Sequence, residues 1–213
     1  MSLSSWFFAA TYDPMLAGAE KGGLGAHRKT LVSTAAGRVV EIGAGTGANL
    51  PFYGDAVTEL VACEPAEAMA KRLERKLASS GRLVRVVRAP AENLPLENGS
   101  FDVAVATLVL CTVEDPRRAL AELHRVLKPG GQLLFVEHVR ADEPRLARWQ
   151  DRLNFLSRRV AQGCNCNRDT LANIAAAGFT VTHVVRDRLP KTPPIVRPLV
   201  IGAAVRSEGP VHE

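Results

Sequence analysis

Val39-Val40-Glu41-Ile42-Gly43-Ala44-Gly45-Thr46-Gly47-Ala48 decides the fold of this 213-residue chain. Val39, Val40 and Ile42 read as the end of a buried strand. Three glycines at alternate positions follow, so the strand runs into a turn whose backbone N–H groups can approach a ligand closely. Glu41 stands at the strand's carboxyl end, where a carboxylate suits a ligand carrying a positive group and suits a phosphate poorly. The same residues satisfy the G-x-G-x-x-A form of the dinucleotide fingerprint. The glycines alone leave that reading open, and the neighbouring sequence has to decide.

Downstream, Thr58–Cys63 is a second apolar run, closed by Glu64-Pro65. From Pro65 the pattern turns helical: Met69, Leu73 and Leu77 share a face, and Glu67 and Lys71 form an i,i+4 pair. This strand–helix–strand–helix rhythm predicts a parallel sheet. Glu64 lies 17 residues after Gly47 (64 − 47) at the tip of strand two, which adjoins the glycine turn in a doubly wound sheet. A carboxylate there can accept both hydroxyls of a ribose, so it implies a nucleoside ligand without naming the cofactor. Leu83–Val87 reads as a third strand, and a loop over 89–102 ends in a turn at Asn98-Gly99. Val103–Leu108 is a fourth strand, apolar almost throughout, as expected of a buried parallel strand. Asp115-Pro116 is an N-cap and first-turn signature for a helix with Ala119, Leu120, Leu123, Val126 and Leu127 on its apolar face. Lys128-Pro129-Gly130-Gly131 stops that helix, and Gln132–Val136 is a fifth strand leading to Glu137-His138.

Upstream, residues 1–37 carry few strand signals. Asp13 reads as an N-cap with Pro14 behind it, and 27–36 as a second helix ended by Gly37. The segment is either a cap over one sheet edge or a lid over the ligand, with Tyr12 expected to reach a site. Residues 144–161 form an amphipathic helix: Leu146, Trp149, Leu153, Leu156 and Val160 step by three and four, and Arg145, Arg148, Arg152 and Arg159 gather on another face. Such a helix packs on the fold with a solvated basic face, or meets a membrane surface or anionic substrate. Asn167–Ala177 is one more helix. Phe179–Val185 and Ile195–Val205 read as the last two strands, and the link Leu189–Pro194 permits an antiparallel return. No second-domain boundary appears. The expected organisation is one domain over 1–213: a helical cap (1–37), a cofactor-binding core (38–138), and acceptor-side helices with the last two strands (139–213).

Composition removes several classes. Apolar content of 46% and charged content of 23% are ordinary globular values. No apolar run approaches the ~20 residues of a spanning helix. Trp6-Phe7-Phe8-Ala9-Ala10 is too short, and lacks the preceding basic residue, for a signal peptide. The four cysteines are scattered, which fits a reducing cytosol, so a cytoplasmic location is expected. Cys164 and Cys166 form C-x-C without a partner pair, so no metal is expected. The net charge of +5 is modest and aromatics are only 5%, so no nucleic-acid partner is expected. The sequence leaves the oligomeric state undetermined.

Four motifs occur in order at matching spacing: Glu41-Ile42-Gly43-Ala44-Gly45-Thr46-Gly47; Glu64 closing strand two; Leu94-Pro95-Leu96 through Phe101-Asp102; and Val126-Leu127-Lys128-Pro129-Gly130-Gly131. Together they resemble the class I S-adenosylmethionine-dependent methyltransferases over residues 38 to about 138. The resemblance implies an α/β, Rossmann-like, doubly wound seven-stranded sheet, mostly parallel with an antiparallel last strand and helices on both faces. It places Glu41 near the methionine ammonium and passes Gly43, Gly45 and Gly47 under the cofactor, with Asn49 just beyond. Glu64, beside Pro65, takes the ribose hydroxyls, and Met69 packs beside the adenine. Ala91 and Glu92 flank the adenine edge; Thr107, Leu108 and Cys111 line the methionine side. Pro90 stands where an Asp commonly contacts the adenine amino group, which leaves that contact to backbone groups or to Glu92.

A narrower resemblance covers the C-terminal half. Glu137-His138-Val139, a helix bearing Trp149, Gly163-Cys164-Asn165, Arg168 and Arg197-Pro198 are similar to the methyltransferase-like alkyl thiol S-methyltransferases, as are Gly45–Asn49 and Phe52-Tyr53. The implied reaction is methyl transfer from S-adenosylmethionine, with S-adenosylhomocysteine as product, to a small, fairly apolar acceptor, with a thiol leading and an aminolipid, other amine or hydroxyl as alternatives. His138, oriented by Glu137, is the candidate for deprotonating or placing the acceptor; a polar strand end bonded to the lid is the other reading. Cys111 is read as a small apolar lining group and Gly163–Arg168 as a loop edging the acceptor pocket. Two rivals stand beside an enzyme of this kind. An NAD(P)-dependent oxidoreductase is disfavoured by Glu41 and by the Lys-Pro-Gly-Gly stop. A catalytically silent partner protein that binds the cofactor is disfavoured by the intact acids and glycines.

Overall fold

A computed structural model describes residues 12–14, 16–80, 84–160, 163–190 and 192–207. Strands β1 (Gly37–Ile42), β2 (Val57–Cys63), β3 (Val84–Val87), β4 (Phe101–Thr107), β5 (Leu127–His138), β6 (Phe179–Arg188) and β7 (Pro198–Arg206) form one sheet in the order β3-β2-β1-β4-β5-β7-β6. The β1–β2, β1–β4, β2–β3 and β4–β5 pairs are parallel; β7 runs antiparallel to both β5 and β6. The seven-stranded, mostly parallel sheet with a reversed last strand is the one the motifs imply.

Helices cover both faces because the strands carry apolar side chains on both. On one face α1 (Gly25–Val32) packs with Val39, Val105, Leu134 and Val136. On the other, α3 (Pro116–Val126) and α5 (Thr170–Ala176) bury Leu120, Leu123 and Ile174 against Val40, Ala104, Leu133 and Phe135. Helix α2 (Glu67–Ser80) sets Leu73 against Ala44 and Ala62. Asp115 caps α3 by accepting from the amides of Arg117 and Arg118, with Pro116 at the first helical position, and Glu67 and Lys71 pair at 2.7 Å. Strand order reverses beside β1, between β2 and β4, so the carboxyl ends of these strands open a crevice.

Several expectations are corrected. Strand β5 begins at Leu127, so Lys128–Gly131 belongs to the strand and its irregular pairing with β4 (Phe101↔Leu127, then Val103↔Gln132) absorbs the extra residues. Residues 194–196 form a turn of 3-10 helix rather than the start of the last strand. Asp13 lies within helical backbone and is no N-cap; its Oδ1 accepts from the Thr46 hydroxyl at 2.5 Å, strapping the N-terminal segment to the glycine turn.

Helix α4 (Pro144–Val160) departs most from its pattern. Its buried positions are Ala147, Gln150 and Ser157, while Trp149 and Leu156, which the 3-4 spacing sends inward, are exposed with Phe155. One polar side chain fixes this rotation. Gln150 Nε2 lies within hydrogen-bond distance of the carbonyls of Val139 (3.0 Å), Cys166 (2.8 Å) and Ile195 (2.9 Å), which share its two N–H groups, and its Oε1 accepts from the Ala141 amide at 2.8 Å. A buried amide with such partners outweighs an apolar stripe, because turning it outward would orphan the carbonyls.

Candidate active site

The crevice is a cavity of about 1100 Å³. Its floor is the glycine turn. Gly43 and Gly45 both have φ +57°, the left-handed region. A Cβ on Gly43 would come within 2.4 Å of Val109, whereas one on Gly45 would meet nothing closer than the Gly43 carbonyl at 3.9 Å. Gly43 is therefore required by packing, and Gly45 leaves open space over bare backbone.

Glu64, nearly buried, forms the adjoining wall. Its Oε2 accepts from the Gly45 amide and its Oε1 from the Ala66 amide, both at 2.8 Å. Burial raises its pKa, and the two amides act against that rise. Each oxygen keeps a lone pair after those bonds, so the carboxylate can still accept hydroxyl donors. Beside it lie Pro65 and Met69, and Tyr12 packs on Met69 and Ala68; burial pushes the Tyr12 phenol up to about 12. Ala91 and Glu92 also line the cavity, with Glu92 Oε1 accepting from the Glu114 amide at 2.9 Å.

Glu41 stands behind this lining and outside it. Its Oε1 accepts from Asn49 Nδ2 at 2.9 Å and its Oε2 from the Tyr53 hydroxyl at 2.8 Å. Asn49 also donates to Thr107 Oγ1 (2.9 Å) and accepts from Arg28 (2.9 Å), which pairs with Glu20 (3.0 Å). Burial raises the Glu41 pKa to about 7 against the lowering pull of Tyr53, Asn49 and Arg28. Asn49 and Gly47 likewise sit behind the wall; a Cβ on Gly47, at φ +81°, would approach Leu50 within 2.7 Å and Leu73 within 2.8 Å.

The far wall is the segment after β4. Thr107, Leu108 and Cys111 line the cavity, and Leu108 has φ +58°, the one non-glycine residue in that region among the described residues. Glu137 holds this segment. Fully buried, its Oε1 accepts from the amides of Val109 and Leu110, each at 2.9 Å, and its Oε2 from the Cys111 amide at 3.1 Å. Burial raises its pKa against these donors. The expected pairing of Glu137 with His138 is therefore corrected: consecutive strand residues point to opposite faces, and Glu137 faces the amides.

His138 does line the cavity. Its Nδ1 has no hydrogen-bond partner, and burial holds its pKa down at about 4, against support from the carbonyls of Pro198 and Val196. The ring is uncharged near neutrality, and its Nδ1 is enclosed by protein rather than open to the cavity. Cys111 packs with Cys164 and Cys166 as free, buried thiols. The loop carrying the last two is fixed by the Asn165 amide on the Cys111 carbonyl (2.7 Å) and by Arg168 on the Leu110 carbonyl (2.7 Å). Among the described residues no group of three or more His, Cys, Asp or Glu is arranged to hold a metal.

Sequence reasoning missed the Arg28–Asn49–Glu41–Tyr53 chain, the Glu137 clamp and the cavity wall from Leu156, Ser157, Ile195 and Val196. Phe52-Tyr53 close behind the glycine turn was the one available signal; the other contacts join residues distant in the chain.

The residues fit the sulfonium nucleoside that the motifs imply: open space over Gly45, a carboxylate with unused lone pairs beside it, and Tyr12 and Met69 as an apolar flank for a base. Comparison with known proteins agrees. A family model described as a methyltransferase domain matches residues 40–135. The chain is 38% identical to the human thiol S-methyltransferase TMT1B over 180 residues, 81% of this chain and 72% of that protein. It is 35% identical to human TMT1A over 172 residues, 79% of this chain and 70% of that protein. The solved structure of an S-adenosylmethionine-dependent methyltransferase from Thermotoga maritima matches with a TM-score of 0.69 at 26% identity, over 95% of this chain and 98% of that one.

Proposed function

This chain belongs to the class I S-adenosylmethionine-dependent methyltransferases, and on that premise we propose that it methylates a small, fairly apolar thiol. The cofactor supplies an electrophilic methyl group on sulfur, already activated for in-line displacement, so the chain's task is to position the partners and exclude water. Glu64 and the bare backbone of Gly45 would hold the nucleoside. Glu137, through the amides of 109–111, fixes the wall against which the two reactants meet.

The observation that carries the acceptor reading is the make-up of the cavity wall beyond β5. Nine described residues from 138 onward face the cavity, His138, Leu156, Ser157, Cys164, Thr192 and Ile195 among them, and none is a carboxylate; the carboxylates of the lining, Glu64, Glu92, Glu114 and Asp115, all come from segments before β5. An ammonium arriving there would find neither a counter-charge nor a base able to take its proton, because the imidazole stays uncharged down to about pH 4. A thiol needs neither. With a pKa near ~8.5 it reaches the site in part as the thiolate, losing its proton to solvent. The thiol S-methyltransferase relatives support the same reading.

The test is release of S-adenosylhomocysteine over a panel of alkyl thiols, amines, phenols and aminolipids. Apolar thiols are expected to turn over at least tenfold faster, by kcat/KM, than the matched amines. Faster turnover of amines or aminolipids would overturn the thiol assignment and leave the cofactor assignment standing.

A further inference from the structure

Helix α4 turns outward a surface that the fold does not use. Five arginines, at 145, 148, 152, 158 and 159, are exposed, and none forms an ion pair among the described residues. The carboxylates around them are already engaged. Asp151 is held by Arg140 at 2.5 and 2.8 Å, Asp142 faces Arg186 at 3.4 Å, and Glu143 faces Arg188 at 3.8 Å. The surface therefore keeps its positive charge. Set among the guanidiniums are Phe155 at 69% exposure, Trp149 at 55% and Leu156 at 45%, three of the five large hydrophobic side chains that stand exposed among the described residues.

At one hundred degrees per residue, Arg145, Arg148, Arg152 and Arg159 fall in one stripe opposite Gln150, with Phe155 on one flank and Trp149 and Leu156 on the other. Arginine stems lie along apolar surface while their heads reach outward, so guanidiniums and aromatic rings can engage one plane together. Leu156 also lines the cavity, so this plane borders its mouth.

We propose that the outer face of α4 docks on an anionic lipid surface, with Phe155 and Trp149 entering the acyl boundary, the arginines among the headgroups, and the cavity mouth at Leu156 turned toward the bilayer. Charge complementarity selects the anionic surface, and the exposed rings select lipid over other polyanions. A duplex nucleic acid would satisfy the arginines and leave Phe155 in water, whereas a single strand, whose bases can stack on the rings, is the competing outcome of the test. That apolar acceptors enter from the bilayer rests on the proposed function; the docking itself does not.

Co-sedimentation of the full chain with phosphatidylcholine vesicles, with and without about 30 mol% phosphatidylglycerol, tests the docking directly. Binding is expected only with phosphatidylglycerol and should fall steeply toward roughly 0.5 M salt. Each guanidinium at an anionic surface contributes about a fivefold factor, so R145Q/R148Q/R152Q should lose on the order of a hundredfold in partition. In a W6F background, Trp149 emission should shift to the blue on binding, and F155A should weaken partition without changing the salt dependence. Cofactor affinity by calorimetry, unchanged in these variants, reports that they fold. Absence of binding to the anionic vesicles, equal binding to both kinds, or wild-type partition by the triple variant would overturn the proposal. So would tight, salt-sensitive binding of an oligonucleotide with no vesicle-induced change in Trp149 emission. No acceptor is present in these assays, so a failure here leaves the thiol reading untouched, and failure of the thiol reading leaves vesicle binding unchanged.

Discussion

The carboxylate of Glu64, at the tip of β2, is tied to the backbone of Gly45, beyond the tip of β1: Oε2 accepts the Gly45 amide at 2.8 Å while Oε1 accepts the Ala66 amide at the same distance. One side chain thus sets the conformation of the glycine turn and presents its remaining lone pairs to the cavity. Shaping the turn and the proposed grip on a ribose would then fall to one group.

Replacing Glu64 by alanine should therefore weaken S-adenosylmethionine binding by roughly a hundredfold, about 3 kcal/mol, the size of one or two charge-assisted hydrogen bonds. E64Q keeps one acceptor oxygen and should fall between. Calorimetric titration of both variants checks this; an E64A affinity within twofold of wild type would remove Glu64 from the cofactor site.

Glu41 predicts an unusual pH dependence of stability. Its pKa is about 7 in the folded chain against an ordinary 4.5, so between those values the folded state retains a proton that the unfolded state has released. Stability contributed by this group is complete below about pH 4.5 and lost as pH rises through about 7, a loss on the order of 3 kcal/mol. E41Q should flatten that decline and unfold at a higher urea concentration than wild type near pH 8. Urea midpoints across this range decide it; parallel curves for the two proteins would contradict the raised pKa.

Glu137 holds three buried amides on two oxygens. Glutamine offers one acceptor and turns an NH2 toward at least one donor, so E137Q should cost roughly 2–4 kcal/mol in urea denaturation. The segment it releases contains Leu108 at φ +58°, so S-adenosylmethionine affinity should fall as well. Wild-type stability in E137Q would show that the amides find other partners.

How much of this was legible in the sequence depends on whether a feature is local. The sheet, the glycine turn, Glu64 at its tip and the Asp115 cap follow from periodicity and short motifs, because strand burial and capping are decided within a few residues. Glu137 stands out in the sequence, but its task does not. Adjacent positions on β5 read as partners until the two faces of the strand are considered. Helix α4 departs from its pattern for a related reason: a 3-4 apolar stripe reports a preference, and Gln150, whose buried amide serves the Ala141 N–H and shares two N–H groups among three carbonyls, sets the rotation instead. The Arg28–Asn49–Glu41 chain joins three elements, and no spacing rule reaches across them.

The last prediction separates two roles for His138. A general base working near neutrality would add a limb to the kcat/KM profile near its own pKa, and its loss would cost ~10²-fold or more. The ring's pKa of about 4 gives it a different task, lining the acceptor wall as an uncharged ring. With an alkyl thiol, kcat/KM should then rise with pH following the pKa of the thiol, and a more acidic thiol should move the profile down by the difference in thiol pKa. H138N should keep that shape and lose less than ~tenfold, mainly through a higher KM. A limb that stays fixed when the thiol is changed and disappears in H138N would make His138 the base after all.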